Sequence, residues 1–500
     1  MPLRVYNTLT QKKEAFETVQ PGKVGIYLCG PTVYKPSHVG HMVGPVIFDT
    51  VKRYLAYLGY EATLVINITD IDDKLIAEAQ KQRLQVAELA ERVTADYVRN
   101  LQRLNVTGVD SMPRATQYVG DIIGMIRGLC DKGFAYPAGG DVYFDVTRDP
   151  DYGKLCHRDP EQLEAGARIE VSERKRNPGD FALWKGAKPG EPKWDSPWGP
   201  GRPGWHIECS AMSMRLLGET LDMHGGGNDL KFPHHENELA QSESYTGKPF
   251  VRYWMHNGLM EIDKEKISKS KEEEQRKKSL LEVTPLLERH QPETLRFLLL
   301  RTHYRRPIAY SEDMLDEVQR GLEGFYRFFE RFQRITGSSF YESQAPTRRG
   351  SFDLNGAEAE FLVEVGRHRA AFLECMDDDF NTGGAIGILY DLLTTLNRFA
   401  DSRHLEEGKA GSATLNDFRR GVIVLKELSQ VLGIFLAPLA AMKLAQDQLV
   451  NGLMQLLLDL RAEARKTKNF ALADQIRQRL GKLGVTLEDR SGGTGWRLES

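Results

Sequence analysis

The sequence has no apolar run approaching the roughly 20 residues that a membrane span needs. Its first residues, MPLRVYNTLTQKKEAF, hold no apolar stretch long enough for a signal peptide. The expectation is a cytoplasmic protein without membrane association. Cysteine is scarce: Cys29, Cys130, Cys156, Cys209 and Cys375 are scattered without short-range pairing. A disulfide framework is thereby excluded, and a reducing compartment fits. No CxxC marks a metal knuckle, and no GxGxxG fingerprint points to a nicotinamide or flavin cofactor. The net charge of −3 gives no global attraction to nucleic acid, so an RNA partner would have to be held by local basic patches. Internal repeats and long low-complexity tracts are also absent.

What remains is a chain of 500 residues with ordinary apolar content, enough to bury several cores and to favour three or four domains. The run Val24 to Gly30, VGIYLCG, is short, apolar and closed by glycine and proline. Apolar residues then recur at helical spacing from Val43 to Tyr57, and a second strand-like run covers Ala62 to Thr69. Strand, helix and strand in that order predict a βαβ unit, hence a parallel sheet whose ligand site lies beyond the strand C-termini, near Cys29 to His41. From Pro113 to Trp205 the Pro-, Gly- and Trp-rich character suggests an insertion, after which sheet elements resume around Glu219 to His256. The pattern from Leu315 to Pro438 is helical almost throughout, which predicts a bundle. A basic helical stretch with Arg461, Arg465, Lys466 and Lys468 follows, then a glycine-rich turn and Trp496.

Four motifs carry chemistry. In His38-Val39-Gly40-His41 two imidazoles stand near a helix N-terminus, whose free N–H groups and dipole suit a triphosphate. Lys266-Ile267-Ser268-Lys269-Ser270 offers two lysines that can gather on a pyrophosphate as charge builds between the α and β phosphates. His224-Gly225-Gly226-Gly227-Asn228-Asp229 lets backbone approach a flat ligand, with Asp229 placed for ribose hydroxyls. Alone, each of the first two reads more readily as an ordinary surface loop, and the third reads equally well as a tight glycine turn with a capping aspartate. The fourth is Phe232-Pro233-His234-His235-Glu236-Asn237-Glu238, where a proline suited to the first helical position puts His234 and Glu238 on one face. His235 with Glu238 is a second possible pair. Two thiolates, Cys29 at the end of the first strand and Cys209 in GWHIECSAM, would complete a set suited to Zn²⁺ with a position left for substrate, although buried cysteines are usually small core residues.

The first two motifs, in this order, make the sequence resemble the class I aminoacyl-tRNA synthetases, whose HIGH and KMSKS signatures they match. The strings CGPTVY, ITDIDDK, PGWHIECSAM, HGGGNDL and FPHHENE narrow that resemblance to the cysteinyl-tRNA synthetase family, over nearly the whole chain. The resemblance implies an α/β fold: a Rossmann-like parallel-sheet catalytic domain with a connective insertion, followed by an α-helical bundle and a small C-terminal anticodon-binding domain. The corresponding segments are 1–112 and 206–256 for the two catalytic halves, 113–205 for the insertion, 257–314 for the KMSKS-like loop and stem-contact region, 315–440 for the bundle and 441–500 for the anticodon-binding region.

The resemblance also implies ATP-dependent formation of cysteinyl-adenylate and transfer of cysteine to the 3′ end of tRNA-Cys. Its partners would be L-cysteine, ATP and tRNA-Cys, and its usual state is a monomer. One zinc per subunit would sit on Cys29, Cys209, His234 and Glu238 and select the substrate thiolate over a serine hydroxyl, with no separate editing domain. Mg²⁺ would accompany ATP. His38, His41, Lys266 and Lys269 would be catalytic. ATP would contact Gly40, Gly225, Gly226, Gly227, Asp229, Ser268, Lys269 and Ser270, and the amino acid would contact Gly30, Thr69 and Trp205, with Asp70 a further candidate. After Ser270 the family continues Leu-Gly-Asn, whereas this chain reads Lys271-Glu272-Glu273-Glu274-Gln275-Arg276-Lys277-Lys278. Two rivals are a ligase joining cysteine to an amino sugar, and a non-catalytic RNA-binding paralogue.

Overall fold

The computed structural model describes residues 2–157, 174–262, 281–353, 355–438, 441–467, 469–482, 485–490 and 493–498. They form two compact units, Met1–Leu436 and Ala437–Ser500. No helix among the described residues is long and apolar enough to cross a membrane.

The first unit begins with an antiparallel hairpin, β1 (Arg4–Asn7) and β2 (Lys12–Ala15). The predicted βαβ unit follows as β3 (Lys23–Leu28), α1 (Gly40–Tyr57) and β4 (Glu61–Ile66), with β3 and β4 parallel. The helix starts three residues before the apolar periodicity does, because Gly40 to Met42 already turn over the strand end. After α2 (Asp73–Gln82) and α3 (Val86–Arg103) comes the segment expected to be an insertion. Among its described residues one α-helix, α4 (Val119–Asp131), packs on an antiparallel sheet of β5 (Ala135–Ala138), β6 (Asp141–Phe144), β7 (Phe181–Gly186) and β8 (Gly201–Pro203). Ile122, Ile126, Val142, Phe144, Leu183 and Trp184 form its core.

The parallel sheet resumes beyond α5 (Trp205–Leu217) with β9 (Leu221–Gly227), α6 (Glu236–Thr246) and β10 (Val251–Asn257). Its order is β10-β9-β3-β4, so the chain runs outward from β3 in one direction and then returns to build in the other. The crevice between β3 and β9 is therefore the topological switch point, where such sheets hold ligands. A short parallel pair, β11 (Met260–Ile262) with β12 (Ile308–Tyr310), and the helices α7 (Val283–Arg289) and α8 (Pro292–Leu300) lead into the bundle.

The bundle comprises α9 (Glu312–Thr336), α10 (Ala359–Asp377), α11 (Thr382–Ser402) and α12 (Ser412–Leu432). Ser311 caps α9 by accepting from the Met314 N–H at 3.2 Å, and Phe325, Phe328, Phe329 and Phe332 bury its apolar stripe. Helix α1 is tied to these helices by buried polar groups. Arg296 of α8, fully buried, meets Asp49 at 2.7 Å and also donates to the carbonyls of Leu104 and Leu432. Tyr54 donates to Asp377 at 2.5 Å, and Tyr57 donates to Glu427, which Arg369 also holds.

In the second unit, α13 (Ala441–Lys466) and α14 (Phe470–Lys482) precede an antiparallel pair, β13 (Val485–Arg490) and β14 (Gly493–Leu498). Met454, Leu458, Leu480, Val485 and Leu487 form its core. Arg461, expected on an exposed basic face, is buried, whereas Arg465 and Lys466 are exposed. Lys468 lies outside the described residues, and Trp496 sits opposite Leu487 in the strand pair.

Candidate metal centre and nucleotide site

Cys29 follows the last residue of β3, and its N–H donates to the carbonyl of Gly225 in β9 at 3.1 Å, which fixes it at the switch point. Cys209 projects from α5 with its Sγ 3.7 Å from that of Cys29. Sulfurs bound to one tetrahedral zinc at about 2.3 Å would stand about 3.8 Å apart, so the pair already has the required spacing. Glu238 completes the approach, with Oε1 at 3.5 Å from Cys29 Sγ and 3.0 Å from His234 Nε2. Ligand atoms of Cys29, Cys209, His234 and Glu238 all lie within 4.8 Å of one another.

The start of this helix departs from the expected form. Pro233 does not open a regular α-helix: Lys231–His235 is a wider π turn containing extended Phe232, and α6 begins at Glu236. His234 still reaches Glu238, because the backbone from His235 onward is already helical. His235 turns the other way, with Nε2 at 3.3 Å from Cys29 Sγ. A second quartet of Cys29, His224, His235 and Glu238 shares two members with the first, and His224 Nε2 stands 2.8 Å from Glu238 Oε2.

The donors suit a cation electrostatically. Burial, then the neighbouring Cys209, pushes the Cys29 thiol well above its ordinary value. The hydrogen bond with Cys29 pulls the Cys209 thiol down, but burial and the Glu238 and Glu208 carboxyls outweigh it and leave the value raised. Burial also holds His234 and His235 well below the usual imidazole range, with nearby histidines adding to the effect. Two thiols reluctant to ionise and two neutral imidazoles around a carboxylate form a donor set that a soft divalent cation satisfies. Of these five, Cys29, Cys209, His234 and Glu238 make a four-donor set that fits zinc.

Further imidazoles support the ligands. His206 Nδ1 meets His234 Nδ1 at 2.9 Å, and His235 Nδ1 meets His256 Nε2 at 2.8 Å, with His256 Nδ1 on Thr8 at 2.9 Å. Such partners fix which ring nitrogen faces the metal. Burial lowers both His206 and His256 to about 3. An unfolded imidazole titrates near 6.5, so below that pH the unfolded chain takes up protons that the folded one refuses until about pH 3. Stability should be flat above pH 6.5 and fall on acidification, by up to about 1.4 kcal/mol per pH unit for each of the two groups. Urea midpoints at pH 7.5 and 5.5 check this; equal midpoints would contradict it.

His38 and His41 stack at the start of α1 with ring centroids 3.6 Å apart. His38 is exposed and His41 half-buried; burial, aided by His38, lowers His41 to about 3, so it meets a ligand as a neutral ring. The glycine run of β9 has an internal use: a Cβ on Gly225 would stand 1.9 Å from the ring of Phe48, and one on Gly226 would stand 2.8 Å from His235. Glycine there lets α1 and the histidine cluster press onto the strand. Gly227 and Asp229 follow at the strand end.

Lys266, Ser268, Lys269 and Ser270, with the altered run after them, lie outside the described residues. The chain re-emerges at Leu281, whose carbonyl accepts from the Val39 N–H at 2.9 Å, and Val283 donates to Ser37. The segment that carries the two lysines is thus tied at its far end to the backbone of His38.

On the amino-acid side, the Gly30 N–H donates to Asn67 Oδ1, and Asn67 leads through Thr69 to Glu208. Trp205 is 39% exposed and stacks on His234 with centroids 4.2 Å apart. Asp70 spends both carboxylate oxygens on Thr116. Sequence reasoning gave no role to His206, His224, His256 or Glu208; the first two lie in GWHIECSAM and HGGGNDL, and only their burial together reveals them.

Residues 15–320 match the family described as tRNA synthetases class I (C) catalytic domain, 371–437 match the DALR domain, and 454–497 match the cysteinyl-tRNA ligase anticodon binding domain. Cysteine–tRNA ligases of Syntrophobacter fumaroxidans and Geobacter sulfurreducens are each 44% identical over the full length of both chains. That of Symbiobacterium thermophilum is 44% identical over 99% of this chain and all of its own. The chain belongs to the cysteine–tRNA ligase family. The family's class I architecture also appears in Mycobacterium tuberculosis methionyl-tRNA synthetase in complex with methionyl-adenylate, with a TM-score of 0.59 at 15% identity, covering 82% of this chain and 90% of that one.

Proposed function

We propose that this chain activates L-cysteine with ATP to cysteinyl-adenylate and transfers the cysteinyl group to the 3′ end of tRNA-Cys. The observation that carries the reading is the quartet of half-buried Cys29 with buried Cys209, His234 and Glu238 at the switch point, together with the stacked His38 and His41 at the start of α1. Zinc held there, one per chain, would lower the pKa of the substrate thiol and bind the thiolate, a donor that serine cannot match. Trp205 would cover the amino acid, while Gly30 and Thr69 line its other side.

The carboxylate of cysteine attacks the α phosphate of ATP, and pyrophosphate leaves. His38 and His41 donate N–H groups to the phosphates, Gly40 and the Gly225–Gly227 strand end seat the nucleotide, and Asp229 takes ribose hydroxyls. Lys266 and Lys269, with Ser268 and Ser270, gather on the departing pyrophosphate, and Mg²⁺ accompanies the phosphates. The tie between Leu281 and Val39 supports this, since the described chain after residue 280 resumes against the residue next to His38. Lys269→Ala should slow adenylate formation roughly a hundredfold or more while leaving cysteine binding near normal. Single-turnover formation of the adenylate beside equilibrium cysteine binding separates the two, and equal losses would remove the role given to Lys269.

Segments 1–112 and 206–256 would work as one catalytic domain interrupted by 113–205, with 257–314 meeting the tRNA stem, 315–440 as the bundle and 441–500 reading the anticodon. Exposed Arg465 and Lys466 offer phosphate contacts there. The protein would act as a cytosolic monomer. The match at 454–497 favours this reading over an amino-sugar ligase. Cysteine-dependent pyrophosphate exchange, followed by charging of tRNA-Cys against a serine control, tests it: exchange without charging would point to the ligase, and neither to a non-catalytic paralogue.

A further inference from the structure

Between the N-terminal hairpin, the loop after α8 and the start of α11 lies a cleft of about 610 Å³ lined by the cations Lys13, Arg301, Arg305 and Arg306 and by His303, which burial holds below the usual imidazole range. The activation chemistry uses none of them.

Arg305 is built into this cleft. Its guanidinium stands 4.2 Å from the ring centroid of Tyr6, and its Nε donates to Asp379 at 2.8 Å. Asp379 is fully buried and also accepts from the Tyr6 N–H and the Tyr304 hydroxyl, each at 2.8 Å. One edge of the guanidinium is therefore pinned, while its two terminal nitrogens have no protein acceptor among the described residues. A planar fork held in this way suits the oxygens of a phosphate.

The opposite wall is the N-terminus of α11. Asn381 accepts from the Gly384 N–H at 3.1 Å, and the Gly383 N–H is left without an acceptor among the described residues. A Cβ on Gly383 would stand 2.7 Å from the carbonyl of Arg301, so glycine is what lets the helix end lie against the arginine loop. Besides Asp379, which Arg305 and His303 share, two carboxylates stand nearby. Asp378 pairs with Lys13 at 2.7 Å and Glu317 with Arg301 at 3.3 Å, both partly in solvent, where such pairs exchange at little cost. Arg306 is exposed and has no ion-pair partner among the described residues.

We infer that this cleft holds a backbone phosphodiester of the RNA substrate, with Arg305 as the oriented contact and Arg301 and Arg306 as charge on either side. The inference rests on the proposed tRNA-charging function. Charge spread over three chain segments around a wide cleft fits a polymer passing through better than one enclosed anion. The loop also touches the catalytic sheet, since the Tyr304 carbonyl accepts from Gly258 at 2.7 Å just beyond β10.

The test is tRNA-Cys binding to the full-length enzyme across a salt series, together with steady-state charging and pyrophosphate exchange. An Arg301→Gln/Arg306→Gln double variant should raise Kd and KM for tRNA roughly tenfold and make the slope of log affinity against log salt shallower by about one per arginine removed, with exchange unchanged. Arg305→Lys, which keeps the charge but loses the fork, should raise Kd with the slope preserved. Unaltered tRNA affinity and salt slope in the double variant would overturn the inference, and so would a parallel loss of exchange, which marks a structural role. Failure of the wild type to charge tRNA would count against the proposed function, while the binding series would still decide the role of the cleft.

Discussion

A Cys209→Ser enzyme is expected to emerge from purification nearly free of zinc and to lose cysteine-dependent pyrophosphate exchange in the same proportion. Serine nearly matches cysteine in shape, so α5 and its packing should survive. What changes is the donor: a thiolate 3.7 Å from its partner sulfur is replaced by a hydroxyl that ionises poorly and bonds zinc weakly. Four-ligand zinc sites are worth about 10–16 kcal/mol, roughly 3 kcal/mol per ligand, which is a hundredfold or more in affinity. Competition with a chelator measures that loss directly. Cys130→Ser, at a half-buried thiol outside the cluster, should retain both zinc and exchange. Normal exchange by zinc-free Cys209→Ser protein would sink the role given to the metal.

Arg296→Met should cost about 3–5 kcal/mol of stability, the usual penalty for removing one member of a buried ion pair. Burial pushes the Asp49 carboxyl up, and the Arg296 and Arg53 guanidinium groups more than reverse it, leaving the value lowered. Without Arg296, a fully buried carboxylate keeps only Arg53 as a charged partner, beside the Gly108 N–H, and the carbonyls of Leu104 and Leu432 lose the Arg296 donor. Adding Asp49→Asn removes the stranded charge and should recover a good part of the loss. Urea unfolding of the two single variants and the double variant gives the coupling between them. A loss under about 1 kcal/mol for Arg296→Met would show that Arg53 and the surrounding dipoles suffice. Because Asp49 lies on α1, the helix whose first turn holds His41, the KM for ATP is a useful second reading.

The parallel unit was legible because β3, α1 and β4 each show a single clear period, and the bundle because its apolar stripes recur every three to four residues. The site was legible in part, through short strings whose chemistry is local: two imidazoles at a helix start, and a histidine with a glutamate one turn on. Joining Cys29 to Cys209 needed the resemblance to a family, since no spacing rule connects residues that meet only through β3 and α5. The π turn at Lys231–His235 was missed because proline at a first helical position is the commoner reading of the same residues. The supporting imidazoles of His206 and His256 were missed for another reason. Their role depends on burial and on a neighbour's ring nitrogen, which no one-dimensional pattern reports. Arg461 shows the converse, a charged residue in a basic stretch that tertiary packing takes inside.

The contact between Gly225 and Phe48 has a bearing on descent. A side chain cannot be added at position 225 unless the ring at 48 shrinks first, and a smaller residue at 48 leaves a void until position 225 fills it. Either change alone is a loss, so a lineage can cross between the two arrangements only by a paired replacement. The two positions, 177 apart in the chain, are expected to change together.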